Sequence, residues 1–106
     1  MNKLDKLIEA LTSVTDKVYH FQKNGHDNEQ YLVWSEEYIR NSYAKDEVIH
    51  QVIVGTIDFF TKTEFDPMVS DIEKALKSAS ICYRMNSIQN EDETGFIHYE
   101  WVFEIG

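Results

Sequence analysis

A single cysteine, Cys82, leaves the chain unable to close a disulfide within itself, which points to a reducing compartment. The lone thiol reads as a small strand residue rather than a nucleophile. Positive charge is also scarce, with 10 Lys and Arg against 19 Asp and Glu and a formal net charge of −9. Phosphate-backbone binding draws on counterions released by clustered Lys and Arg, so specific nucleic-acid recognition is not expected. No apolar run approaches the roughly 20 residues that cross a bilayer, and Asp5 and Glu9 interrupt any secretory reading of the start. No membrane partner is expected, and the protein should be cytoplasmic when synthesised. Motifs of catalysis are missing too: there is no phosphate-cradling glycine loop, H-E-x-x-H, C-x-x-C or nucleophile elbow.

The remaining candidates for chemistry are thin. The 4 histidines, His20, His26, His50 and His98, have no diagnostic local spacing. His50 and Asp58 share a face of one extended run, but eight residues of strand separate them by roughly 26 Å. The acidic loop Asn90 to Thr94 lacks the alternating ligands of a Ca²⁺ loop and reads as a solvated hairpin tip. The expectation is a chain that is not an enzyme, with no catalytic residues, no cofactor and no metal.

What the chain has in quantity is apolar and aromatic side chains, at 42% and 13%, the composition of a folded globular protein. One domain spanning residues 1–106 follows from the length. Its organising stretch is Glu47 to Thr63, where Val48, Ile49, Val52, Ile53, Val54, Ile57, Phe59 and Phe60 crowd together. Such branched and aromatic residues suit a pleated surface. Both faces of this strand are largely apolar in the middle, so it should sit inside a sheet with something packed on each side, a second protein molecule included.

Around that strand the other elements fall in order. Asn2 to Val14 carries Leu4, Leu7, Ile8, Leu11 and Val14 at helical spacing. Lys17 to Phe21 and Gln30 to Glu36 read as strands flanking a polar turn, Lys23 to Asn28, in which Asn24-Gly25 marks chain reversal. Glu37 to Asp46 has no clean period and reads as an irregular loop or arm. Its Tyr38, Ile39 and Tyr43 either tuck under the domain or reach a partner. Tucking is the ordinary expectation for amphipathic side chains at a core edge. Asp66 with Pro67 behind it reads as a helix start, and Val69, Ile72, Ala75, Leu76 and Ala79 give that helix an apolar stripe. Ser80 to Gln89 and Phe96 to Ile105 close the chain as strands. The last has Ile97, Tyr99, Trp101, Phe103 and Ile105 inward, with His98, Glu100 and Glu104 toward water. The fold class is α+β, a mainly antiparallel β-sheet packed by two α-helices in the order α-β-β-β-α-β-β.

This layout resembles the tail terminator, or tail completion, proteins of long-tailed bacteriophages and prophages. The carrying residues are the first helix leading into Lys17-Val18-Tyr19, and Tyr31-Leu32-Val33-Trp34-Ser35-Glu36 as the strand that follows. His50-Gln51-Val52 and Ile57-Asp58-Phe59-Phe60-Thr61-Lys62 match the long strand that closes on an aromatic, a Thr or Ser and a basic residue. The helix Pro67 to Ala79 and the run Gly95 to Phe103 complete the pattern. Where many relatives carry a proline before the tyrosine of the second strand, this chain has Gln30.

The resemblance implies a structural protein that forms a ring, usually a hexamer, caps the finished tail tube and offers a docking surface to the head connector. Its partners would be further copies of itself, the tail-tube protein and the connector. DNA would pass through the acidic ring without specific binding, and the protein would end at the head-proximal end of the tail in the virion. The residues expected to carry self-association are Tyr38, Ile39 and Tyr43 as anchors, with Arg40 and Lys45 meeting carboxylates of a neighbour. The alternative from another class is a small α+β ligand-binding or regulatory module without catalysis, which helix-covered sheets also support.

Overall fold

The computed structural model describes residues 2–25 and 27–106. Helix α1 spans Asp5–Val14 and α2 spans Met68–Ser78. The strands are β1 (Val18–His20), β2 (Tyr31–Ala44), β3 (Glu47–Thr61), β4 (Cys82–Asn90) and β5 (Ile97–Ile105). They form one five-stranded sheet in the order β1-β2-β3-β5-β4. The α+β class and the element order are those read from the sequence.

Short-range side-chain hydrogen bonds fix the chain just ahead of each helix. The Asn2 carboxamide oxygen accepts the Leu4 N–H at 2.9 Å, and Asp5 Oδ2 accepts the Asn2 N–H at 3.1 Å. α1 therefore begins three residues later than its apolar spacing implies. Before α2, Asp66 is buried and uses both oxygens. Oδ1 accepts the Met68 N–H at 2.9 Å and Oδ2 accepts the Thr61 hydroxyl at 2.6 Å, tying the helix start to the end of β3.

Both helices lie on one face of the sheet. Leu7 and Leu11 of α1 and Ile72 and Leu76 of α2 are sealed from solvent against Leu32, Ile57, Phe59, Trp101 and Phe103. Trp101 has no exposure at all, and its indole N–H donates to Glu73 Oε2 at 3.0 Å. Gly55 lets β2 and Phe103 close in. A Cβ there would lie 2.1 Å from the Ser35 carbonyl oxygen and 2.7 Å from the Phe103 ring.

Three sequence expectations are corrected. First, Asn24-Gly25 does not connect an antiparallel hairpin. β1 pairs with β2 in parallel, Val18 opposite Leu32 and His20 opposite Trp34, so the intervening chain carries β2 back to start beside the start of β1. Turn residues fix a local change of direction, and tertiary pairing decides where the next strand lands. His26, within that turn, lies outside the described residues.

Second, Glu37 to Asp46 is neither irregular nor tucked. β2 continues through it to Ala44 and pairs with β3 as far as Ala44 opposite Glu47. The turn residues Lys45 and Asp46 both have positive φ, 53° and 66°, the conformation of a two-residue hairpin turn whose twist matches its strands. Tyr38, Ile39 and Tyr43 are 55%, 56% and 62% exposed.

Third, β3 is not enclosed along its length. β5 reaches only to Ile53 opposite Ile105, so residues 47–52 leave the sheet with β2 as a two-stranded ribbon. Only from Ile53 onward is the strand flanked by β2 and β5.

Candidate functional site

Two features stand out beyond the core: the projecting ribbon and a polar cluster on the sheet face that carries no helix.

The ribbon is the distal part of the β2–β3 hairpin. β1 reaches only to Trp34 on one side and β5 only to Ile53 on the other, so beyond them both ribbon edges are open. Glu37 and Ile49 are extra residues at two bulges, between Glu36 and Tyr38 and between Ser42 and Tyr43. Bulges sharpen twist and blunt an open edge. Val48 and Ile49, 48% and 64% exposed, join the expected anchors Tyr38, Ile39 and Tyr43. Arg40 takes a different place. Its guanidinium lies 2.5 Å from Glu104 Oε1 of the same chain, as an ion pair rather than a directed hydrogen bond. It thus braces the ribbon base against β5. Lys45 sits at the turn, far from the base.

The second feature crosses the centre of the bare sheet face. Tyr31 of β2 stacks on Phe60 of β3 at 4.7 Å, and Phe60 stacks on the His98 ring of β5 at 4.3 Å. Phe96 meets both Tyr31 and Phe60 edge-on. Beside this stack runs an open groove of about 340 Å³ lined by Phe21, Lys23, Val33, Asp58 and His98 among others. Burial and the nearby carboxylates of Glu91 and Asp27 push the Tyr31 hydroxyl pKa up.

Asp58 and Glu100 are direct cross-strand partners in the β3–β5 ladder. His98 lies two residues from Glu100 on the same face, and its Nε2 is 2.6 Å from Asp58 Oδ1. Ligating atoms of Asp58, His98 and Glu100 all lie within 4.8 Å of one another. Each is held from outside. The Thr56 hydroxyl donates to Asp58 Oδ2 at 3.3 Å, and the Asn86 amide donates to Glu100 Oε1 at 2.6 Å. His98 Nδ1 faces Glu91 Oε2 at 3.9 Å. Asn86 is the extra residue of a bulge in β4, between Met85 opposite Trp101 and Ser87 opposite Glu100. The hydrogen bond to Asp58 is the chief cause that raises the His98 pKa. Partial burial works against it, and the negative field of Asp58, Glu91 and Glu100 adds to it.

No sequence pattern announced this cluster, because Asp58 and His98 are 40 residues apart and meet only through the ladder. One signal was there: a lone carboxylate at Asp58 in the middle of an otherwise apolar strand. His50 and Asp58 stay apart, as strand geometry required; His50 belongs to the ribbon. His20 pairs with Glu36 at 2.5 Å and stacks on Trp34 at the sheet margin. Cys82 is exposed at the start of β4. Among the described residues, no helix is long and apolar enough to cross a membrane.

This fold has a counterpart. A chain from the virion of a native gene transfer agent particle superposes with a TM-score of 0.58, over 97% of this chain and 89% of that one. Sequence identity is 13%, so the likeness is one of fold. It runs over nearly the whole length of both chains. No family model and no curated protein matches the sequence.

Proposed function

We propose that this chain is a non-catalytic structural component of a phage-like particle, a tail terminator that caps the tail tube and joins it to the head connector. The observation that supports this reading most is the likeness, over 97% of the chain, to a protein of a gene transfer agent virion. Its order of elements is also that of the tail terminator proteins the sequence resembles.

The ribbon gives the reading a mechanism. A strand pair with two open edges and exposed Tyr38, Ile39, Tyr43, Val48 and Ile49 is poorly used by a lone subunit. In a ring it reaches the adjacent copy, which buries the anchors and pairs backbone groups left to water in the monomer. The contact is heterologous, ribbon on one side and receiving surface on the other, and such contacts close into rings when the rotation permits. A closed ring of subunits carrying −9 each would repel DNA phosphates and let the genome slide through. Lys45 at the tip is the cation free to meet the neighbour's carboxylates, whereas Arg40 acts within its own subunit. The assembled protein would sit at the head-proximal end of the tail.

The test compares wild type with a Tyr38→Ala, Ile39→Ser, Tyr43→Ala triple variant by light-scattering mass over a range of concentration and salt. The expected outcome is a ring-sized oligomer for wild type, favoured by moderate salt that screens subunit repulsion, and a folded monomer for the variant. A folded variant that assembles like wild type would remove the ribbon from the interface. A wild type that stays monomeric even beside purified tail tubes, while binding a small ligand, would favour a ligand-binding module instead.

A further inference from the structure

We propose that Asp58, His98 and Glu100 form a binding site for a zinc-class divalent metal ion on the bare face of the sheet. The site is independent of the ribbon.

The first support is a charge imbalance. Like charges directly opposite one another across a ladder are unfavourable, yet Asp58 and Glu100 occupy such a pair in the middle of the sheet. Glu91 approaches the same imidazole from its other nitrogen. Among the described residues no Lys or Arg forms an ion pair with Asp58, Glu91 or Glu100. Three carboxylates therefore surround one imidazole, and even a protonated His98 leaves negative charge in excess. A divalent cation supplies what is missing.

The second support is geometry. Ligands bonded to zinc at about 2.0–2.2 Å lie roughly 3–3.5 Å from one another around a tetrahedron. Here the ligand atoms begin between 2.6 Å, for Asp58 and His98, and the 4.8 Å limit that contains all three. Side-chain adjustments of under about 1 Å bring them into range. The ladder fixes the backbones, and stacking on Phe60 fixes the plane of the His98 ring. Asp58 and His98 line the groove, from which water can reach a bound ion and complete its shell.

The third support is the outer ring of contacts. Metal-bound histidines ordinarily present their second nitrogen to a carboxylate or carbonyl, and metal-bound carboxylates are themselves hydrogen-bonded. His98 turns Nδ1 toward Glu91 Oε2 at 3.9 Å, and Nε2, which lies 2.6 Å from Asp58 Oδ1, is the nitrogen at which the ion would take the proton's place. Thr56 holds Asp58, and the bulge residue Asn86 holds Glu100. An imidazole with only two carboxylates suits Zn²⁺ and Co²⁺ better than Ca²⁺, which wants about 6–8 oxygens.

The test is titration of chelator-stripped, full-length protein with ZnCl₂ by calorimetry, and with CoCl₂ by visible absorption. One equivalent should bind per chain, with the absorption of four- or five-coordinate cobalt. Asp58→Asn, which keeps size and shape, and His98→Gln, which keeps approximate size but gives up the ring stacked on Phe60, should each weaken binding by at least about tenfold. Asn86→Ala should weaken it about tenfold through Glu100 alone. His50→Gln and His20→Gln should leave it unchanged. Circular dichroism on each variant separates loss of the site from loss of the fold. The proposal is overturned if stripped wild type shows no saturable binding at micromolar protein, or if binding survives His98→Gln and Asp58→Asn intact.

Discussion

Trp101 ties the last strand to the second helix. It is sealed from solvent in β5 and reaches Glu73 of α2 through its indole N–H. Trp101→Ala would leave a cavity and an orphaned carboxylate contact, at a cost of about 3–5 kcal/mol. A chemical-denaturation midpoint that stays put would contradict that placement. His98 works in the opposite register, through charge. Its bond to Asp58 lifts the folded-state pKa above the ordinary value of about 6.5. A raised histidine pKa stabilises the fold fully below the unfolded-state value, and that share is lost as pH climbs through the folded-state value. In metal-stripped protein, thermal melts should therefore show a wild-type advantage over His98→Gln near about pH 6 that shrinks toward about pH 8. An advantage that grows with pH would reverse the assignment.

At the scale of elements, β2 and Phe103 approach the backbone of Gly55 closely. Gly55→Ala should destabilise by about 1–3 kcal/mol, since the nearest obstacle is a carbonyl oxygen and not a movable side-chain tip. Urea unfolding measures it, and an unchanged stability would mean that the bulge at Glu37 slides to make room. The same stretch of β2 shows why some elements were legible in the sequence and others were not. β5 announced itself because one face is buried, which forces alternation from Ile97 to Ile105. The ribbon has water on both faces, so nothing imposed a period on Glu37 to Asp46, and two bulges broke what remained. Its turn also lacked the Asn-Gly signature, using Lys45 and Asp46 at positive φ. The parallel β1–β2 pairing was hidden for another reason: an Asn-Gly turn reports direction locally, while partner choice is settled by the core. The Asp58–His98 contact needed the β3–β5 register, which no local spacing encodes.

For the whole molecule, the sheet divides its labour by face and by end. One face builds the core with both helices, the other carries the aromatic stack and the carboxylate–histidine cluster, and the hairpin end projects away from both. That projection has a hydrodynamic consequence. Extents of 51 × 26 × 24 Å and a radius of gyration of 15.1 Å describe an elongated particle, against about 13 Å for a compact domain of this length. Friction grows with elongation at fixed mass, so a single subunit will diffuse slowly and leave a sizing column early, in the place of a heavier globule. Elution volume alone would thus overstate the mass of a single subunit, whereas light scattering, which does not depend on friction, would not.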